Sequence, residues 1–304
     1  MEYVLKTNGL KKQYRHFTAL DGVSMNIPKG SIYGFVGKNG AGKTTLIRLI
    51  CGLQYPTGGN FELYGIDNSD RNISLSRRRM GAVVETPSIY LDLTAEENLK
   101  QQYRILGKPS FDGITELLRI VGLENTGKKK ARNFSLGMRQ RLGIAVALCG
   151  NPDFLVLDEP TNGLDPQGII EIRELILKLN REYKITVLIS SHILDELSKL
   201  ATHYGFIEKG KMVRELSAAE LEASCRKSLK LTVSDTKSLA LVLDRMALEY
   251  SIFDDKTACV YGNPKIGSIA IALAENNCEL ISAKEQDETL ESFFVSLVGG
   301  VEND

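Results

Sequence analysis

The chain has 304 residues, 43% of them apolar, which suffices for one large domain plus a small one and excludes wholesale disorder. Its 38 Lys plus Arg balance 38 Asp plus Glu, removing the strongest compositional argument for a nucleic-acid partner. No uninterrupted apolar run approaches the ~18 residues of a membrane span, and five scattered Cys without a CxxC pair exclude a disulfide framework or zinc site.

In chain order, "YVLKTNGL", "VSMNI" and "SIYGFVG" alternate as short strands do. "TTLIRLICGL" follows, with Leu46, Ile47, Leu49, Ile50 and Leu53 spaced for a helix with one buried face, and "GNFELYG" returns to strand. From about 93 to 123 the pattern is helical, opened by a Thr94-x-x-Glu97 capping box. Another helix covers "SLGMRQRLGIAVALCG". The wholly apolar "PDFLVLDEP" predicts a buried central strand ending in two acids. Then come helix ("PQGIIEIRELILKLNREY"), strand ("KITVLISSH"), helix ("ILDELSKLA") and a hairpin ("YGFIEKGKMVREL") turning at Lys209-Gly210. Strands alternating with helices predict an α/β core over about 1–220, with a helical insert near 90–150. Beyond a boundary near 216–228, residues 228–304 predict a β-α-β-β-α-β module, closed by a last helix over "DETLESFFVSLVGG". The basic runs Arg77–Arg79 and Lys128–Lys130 read as solvated faces.

Two segments carry chemistry. "FVGKNGAGKTTL" contains Gly37-x-x-x-x-Gly42-Lys43-Thr44 between a strand and a helix, the setting of a phosphate-binding loop. Glycines there let successive N–H groups face an anion, and the helix start adds positive potential. The loop residues Gly37, Lys38, Asn39, Gly40, Ala41, Gly42, Lys43, Thr44 and Thr45 are therefore assigned to a nucleoside triphosphate. Lys43 would reach its β and γ phosphates, and the Thr44 hydroxyl would hold Mg2+. In "FLVLDEP" the strand exit places Asp158 to steady the Mg2+ shell, and Glu159 next to it to orient or deprotonate the attacking water. The alternative is that the two acids only cap a helix.

"NFSLGMRQRLGIAVAL", "DEPTNGLDP" and "ISSH" together resemble the signature segment and following elements of ATP-binding-cassette ATPases, in the family's order, over about 1–220. The resemblance implies a phosphate-loop NTPase core of that type, ATP and Mg2+ as cofactors, and ATP hydrolysis. It implies that Tyr14 stacks on adenine, with Phe17 as rival. Ser135, Leu136 and Gly137 would touch the γ-phosphate held by a second copy. Asp165 would lie in the loop crossing between copies, and His192 would sense the γ-phosphate. Leu136 and Met138 depart from the commoner glycine and glutamine. Glu85, in "GAVVETPSIY", stands where most of the family has a glutamine that ligates Mg2+ and water. Glutamate there resembles the subgroup exporting bacitracin- and lantibiotic-type peptides, and residues 86–99 would then face a membrane partner.

The expected assembly is a head-to-tail homodimer that closes on two ATP molecules and drives separate transmembrane permease subunits. The chain would be cytoplasmic, at the inner face of the membrane, with no nucleic-acid partner. The alternative is a cytosolic cassette ATPase without a transporter, although such proteins carry two cassettes or a long coiled-coil insert. A purely regulatory nucleotide sensor fits poorly beside the full set of Lys43, Asp158, Glu159 and His192.

Overall fold

β1 (Tyr3–Tyr14) pairs antiparallel with β2 (Phe17–Pro28) around Tyr14 and Phe17, and the alternating Val23, Met25 and Ile27 bury one face of β2. The computed structural model describes residues 2–224, 227–262, 264–276 and 278–287, and the chain divides into two units, Met1–Ala218 and Ala219–Asp304.

In the first unit, the fully buried β3 (Ile32–Val36) leads through the glycine loop into α1 (Lys43–Ile50). This helix ends before Gly52, whose positive φ of 77° turns the chain. Leu53, expected on the buried face, consequently lies outside the helix and is 63% exposed. β4 (Gly58–Leu63) and the short β5 (Ile66–Asp67) complete an antiparallel sheet in the order β2-β1-β4-β5. Helix α2 (Ile73–Arg77) and strand β6 (Met80–Val83) follow, neither of them foreseen from the sequence.

The helical insert contains α3 (Ala95–Ile105), α4 (Ile114–Ile120) and α5 (Leu136–Leu148). The predicted capping box is present: Glu97 N donates to Thr94 Oγ1 (3.2 Å) and Thr94 N donates to Glu97 Oε2 (2.8 Å). The core resumes with β7 (Phe154–Asp158), α6 (Pro166–Arg181), β8 (Thr186–Ser191), α7 (Leu194–Ser198), β9 (His203–Glu208) and β10 (Lys211–Ser217). Lys209 and Gly210 both take positive φ at the last hairpin, as a tight primed turn requires.

Strand order in the larger sheet is β10-β9-β3-β8-β7-β6, parallel except for β10. Buried Phe35, Phe154, Val156 and Leu188 of this sheet pack with Leu46 and Ile47 of α1 and with Leu5 and Val23 of the antiparallel sheet. Register matters most: Phe35 pairs with Ser190, Val36 with Ser191, and Asp158 with Ser190. The glycine loop, the two acids and the "ISSH" segment thus leave the sheet at one carboxyl edge, where open α/β sheets place ligands.

The second unit begins within α8 (Ala218–Ser224) and continues as β11 (Lys227–Val233), α9 (Thr236–Arg245), β12 (Tyr250–Ile252), β13 (Thr257–Tyr261), α10 (Ile266–Glu275) and β14 (Leu280–Asp287). The strands form an antiparallel sheet, β12-β13-β11-β14. Leu231, Val233 and Val260 on one face bury against Leu239, Leu243 and Ile269. Asp235 caps α9, accepting from Ser238 N (2.9 Å). The helix expected over 287–300 falls, from residue 288, outside the described residues.

Four cysteines, at 51, 149, 259 and 278, are free, as the sequence predicts; Cys225 lies outside the described residues. Burial pushes the Cys51 and Cys149 thiols up to about 12, so neither is a nucleophile at neutral pH.

β6 packs so closely on the insert that a Cβ at Gly81 would lie 2.4 Å from Ala147 O. Gly81→Ala is expected to cost about 1–3 kcal/mol by overpacking. A denaturant melt of the variant checks this, and an unmoved midpoint would refute it.

Candidate functional site

The glycine loop is shaped by two approaches that no side chain could share. At Gly37 a Cβ would fall 2.5 Å from Ile207 O, and at Gly42, with φ 112°, 2.6 Å from Ala19 O. The loop closes on itself through Ala41 N donating to Lys38 O (3.1 Å), leaving Lys38, Asn39 and Gly40 exposed. Thr44 and Thr45 are half-buried on the first turn of α1, and Lys43 beside them is only 5% exposed.

A buried ammonium requires partners. Lys43 Nζ donates to Gly37 O (2.6 Å) and Lys38 O (3.2 Å) and sits 3.1 Å from Glu159 Oε1. The other carboxylate oxygen, Glu159 Oε2, is 2.8 Å from His192 Nδ1. The structure therefore joins three sequence-predicted residues into one chain, Lys43–Glu159–His192. Asp158 is 1% exposed and accepts from Ser190 Oγ at 2.6 Å. The same Oγ accepts from Glu159 N at 3.0 Å. The helix-cap alternative for Asp158 and Glu159 fails on these contacts, because the cap of α6 is Asp165, accepting from Gly168 N at 3.1 Å.

Ser190 was missed as a functional residue. Its sequence signal, the first Ser of "ISSH", was visible, but nothing local reveals that the hydroxyl spans two acids from the neighbouring strand.

Ser135 caps α5, accepting from Met138 N at 3.2 Å. Ser135, Gly137 and Asp165 line a second groove of about 450 Å³, shared with Gly163 and Leu164 and not with Lys43, Asp158 or Glu159. Leu136, in place of the commoner glycine, is 49% exposed, and its Cδ2 lies 3.4 Å from where a Gly163 Cβ would stand. The glycine loop and this groove are therefore separate places on one copy. Tyr14 ends β1 half open to solvent, bonded through its hydroxyl to Gln54, and Phe17 across the turn is more exposed still. Glu85 has a left-handed backbone (φ 60°), and its carboxylate is ion-paired with Arg48 of α1. Arg48 was not foreseen either; as a helix basic residue it looks ordinary in sequence.

Oxygen donors dominate what could hold a cation here. Asp158 is a buried carboxylate with a neutral hydroxyl as its described partner, and the Thr44 hydroxyl begins the helix that follows the loop. Such a set suits a hard ion such as Mg2+, which takes few protein ligands and keeps its phosphate and water oxygens.

Comparison with known proteins follows the same lines. The family described as ABC transporter matches residues 20–162. The bacitracin transport ATP-binding protein BcrA of Bacillus licheniformis is 41% identical over 99% of both chains. The chain belongs to the ABC transporter family. The lantibiotic transport ATP-binding protein SrtF of Streptococcus pyogenes is 46% identical over 70% of this chain and 90% of its own. Among solved structures, a dimeric ATP-binding cassette in a post-hydrolysis state bound to ADP and Pi is 27% identical, with a TM-score of 0.63 over 70% of this chain and 98% of that one. The expected ABC-type α/β fold is therefore borne out.

Because one hydroxyl serves both acids, Ser190→Ala leaves a buried carboxylate short of a donor. An expected loss of about 1–3 kcal/mol follows. Thermal or urea unfolding measures it, and parental stability would show that water replaces the hydroxyl without cost.

Proposed function

We propose that this ABC protein is the ATP-hydrolysing subunit of a bacterial exporter of antimicrobial peptides or drugs, working through separate membrane subunits. The observation that carries the reading is the Lys43–Glu159–His192 chain at the mouth of the glycine loop. It supplies a cation for phosphate, a carboxylate for water and a histidine that braces the carboxylate. The relatives' names, bacitracin and lantibiotic transport ATP-binding proteins, support the cargo class.

The loop Gly37–Thr45 would cradle the triphosphate of ATP, with Tyr14 stacking on adenine. Thr44 and Asp158, with Glu85 if it leaves Arg48, would hold Mg2+, which supplies positive charge to the phosphate oxygens. Incoming phosphate would take Lys43 from Glu159, freeing that carboxylate to orient the attacking water toward the γ-phosphate. Lys43 then stabilises the charge that grows on the transferred group. His192 keeps Glu159 aimed throughout.

The second groove, with Ser135, Gly137 and Asp165, would cap the ATP of another copy, giving a two-fold, head-to-tail homodimer. Closing that dimer would need intact ATP, and hydrolysis would release it. Among the described residues no helix is long and apolar enough to cross a membrane, so the work would reach the membrane through a permease partner. The protein would then lie on the inner face of the membrane. Balanced charge leaves no reason to invoke nucleic acid.

Glu159→Gln is expected to lower ATPase activity at least about 100-fold, the scale of a lost general base, and to trap an ATP-bound dimer visible by size exclusion. Hydrolysis at the parental rate would remove Glu159 from this role. Glu85→Gln is expected to shift the Mg2+ dependence of the ATPase rate. An unchanged Mg2+ titration would argue that Glu85 serves only its pairing with Arg48.

A further inference from the structure

Glu159 sits in an unfavourable backbone state. Its φ of 48° is left-handed, which costs a residue with a Cβ about 1–2 kcal/mol. Such a conformation persists only where the surroundings over-determine it. On one side they do: Glu159 N donates to both Ser190 O (3.2 Å) and Ser190 Oγ (3.0 Å). On the far side the loop is a tight turn, with Asn162 N donating to Glu159 O (3.1 Å) and Leu164 N to Thr161 O (3.1 Å). A turn that bonds to itself could still pivot about its two ends, Glu159 and the Asp165 cap of α6.

What stops the pivot is a second rung. The buried Thr161 Oγ1 donates to Glu196 Oε2 at 2.5 Å. Thr161 lies two residues beyond Glu159, and Glu196 lies about one helical turn beyond His192. The Glu159–His192 contact and the Thr161–Glu196 contact therefore join the same two segments, side by side. Glu196 is itself held, because α7 is pinned by the buried Leu194 and Leu197. The entry to that helix is fixed by Ile193 N donating to Ser191 Oγ (2.9 Å). No other described hydrogen bond or ion pair links the segment Thr161–Leu164 to α7.

We infer that Glu196 is a positioning residue for ATP hydrolysis: through Thr161 it locks the acid loop so that Glu159 and His192 keep their mutual aim. This rests on the reading in which Glu159 orients the attacking water. With one rung removed, the 2.8 Å contact between Glu159 and His192 would become one of several arrangements of a pivoting loop. Displacement of a catalytic group by about 1 Å can cost up to about 100-fold in rate. ATP binding, which uses the glycine loop, would be untouched.

Steady-state ATPase measurements on the full chain, with thermal unfolding in parallel, test the inference. Glu196→Ala and Thr161→Val are each expected to lower kcat about tenfold while KM for ATP stays within about twofold. Glu196→Gln and Thr161→Ser, which keep acceptor and donor, are expected to stay near the parental kcat. In a His192→Ala background, Glu196→Ala should add nothing, because the pair it positions is already gone. Parental kcat in Glu196→Ala would overturn the inference. So would losses that multiply with His192→Ala, or that merely follow a lowered unfolding temperature. If Glu159→Gln itself left hydrolysis intact, the failure would lie in the role of Glu159 and would take this inference with it. An inactive Glu159→Gln beside a fully active Glu196→Ala would sink the positioning role alone.

Discussion

Lys43 carries its charge almost entirely out of solvent, and the rest of the site is organised around that fact. An unpaired ammonium at such depth would cost several kcal/mol, so the fold surrounds it with two loop carbonyls and one oxygen of Glu159. The arrangement satisfies the cation with groups that phosphate can replace. It also places the Glu159 carboxylate beside the glycine loop. A site built in this way need not create its electrostatics on binding, since charge and counter-charge are already in position.

Parallel strand register is what makes that placement possible. β3, β8 and β7 are neighbours, so the glycine loop, the serines and the acids emerge from one edge in a fixed lateral order. A slip of one residue in β7 would turn Asp158 to the opposite face of the sheet. The all-buried composition of these strands opposes such a slip, because every side chain is already packed. Ser190 adds a polar pin to the apolar one by bonding the side chain of Asp158 and the main chain of Glu159.

The departures from the common family pattern acquire physical meaning in the same frame. Glutamate at position 85 brings a carboxylate against α1, and Arg48, one turn along the helix from Thr44, balances it. Leu136 offers an exposed apolar surface at the rim of the second groove, beside Gly163. Because Ser135 and Asp165 serve as helix caps, the N-terminal turns of α5 and α6 at that groove are ordered within one copy. Both helices thereby direct positive potential toward it.

Much of this protein could be read in its sequence, and the reason is local. Glycine spacing, a short apolar run ending in Asp158 and Glu159, the Thr94–Glu97 box and the Lys209–Gly210 turn are each determined by a few adjacent residues. Strand β6 escaped because four residues between a short helix and a loop show neither period for long enough, and Leu53 misled because Gly52 ends the helix first. The tertiary structure alone decided the partners: Glu159 with Lys43, 116 positions away in the numbering, Ser190 between two acids, Arg48 on Glu85, and Glu196 on Thr161. Sequence dictates which side chains a segment offers and how its backbone bends. Which charges meet depends on how strands from distant parts of the chain come into register, and no local pattern encodes that.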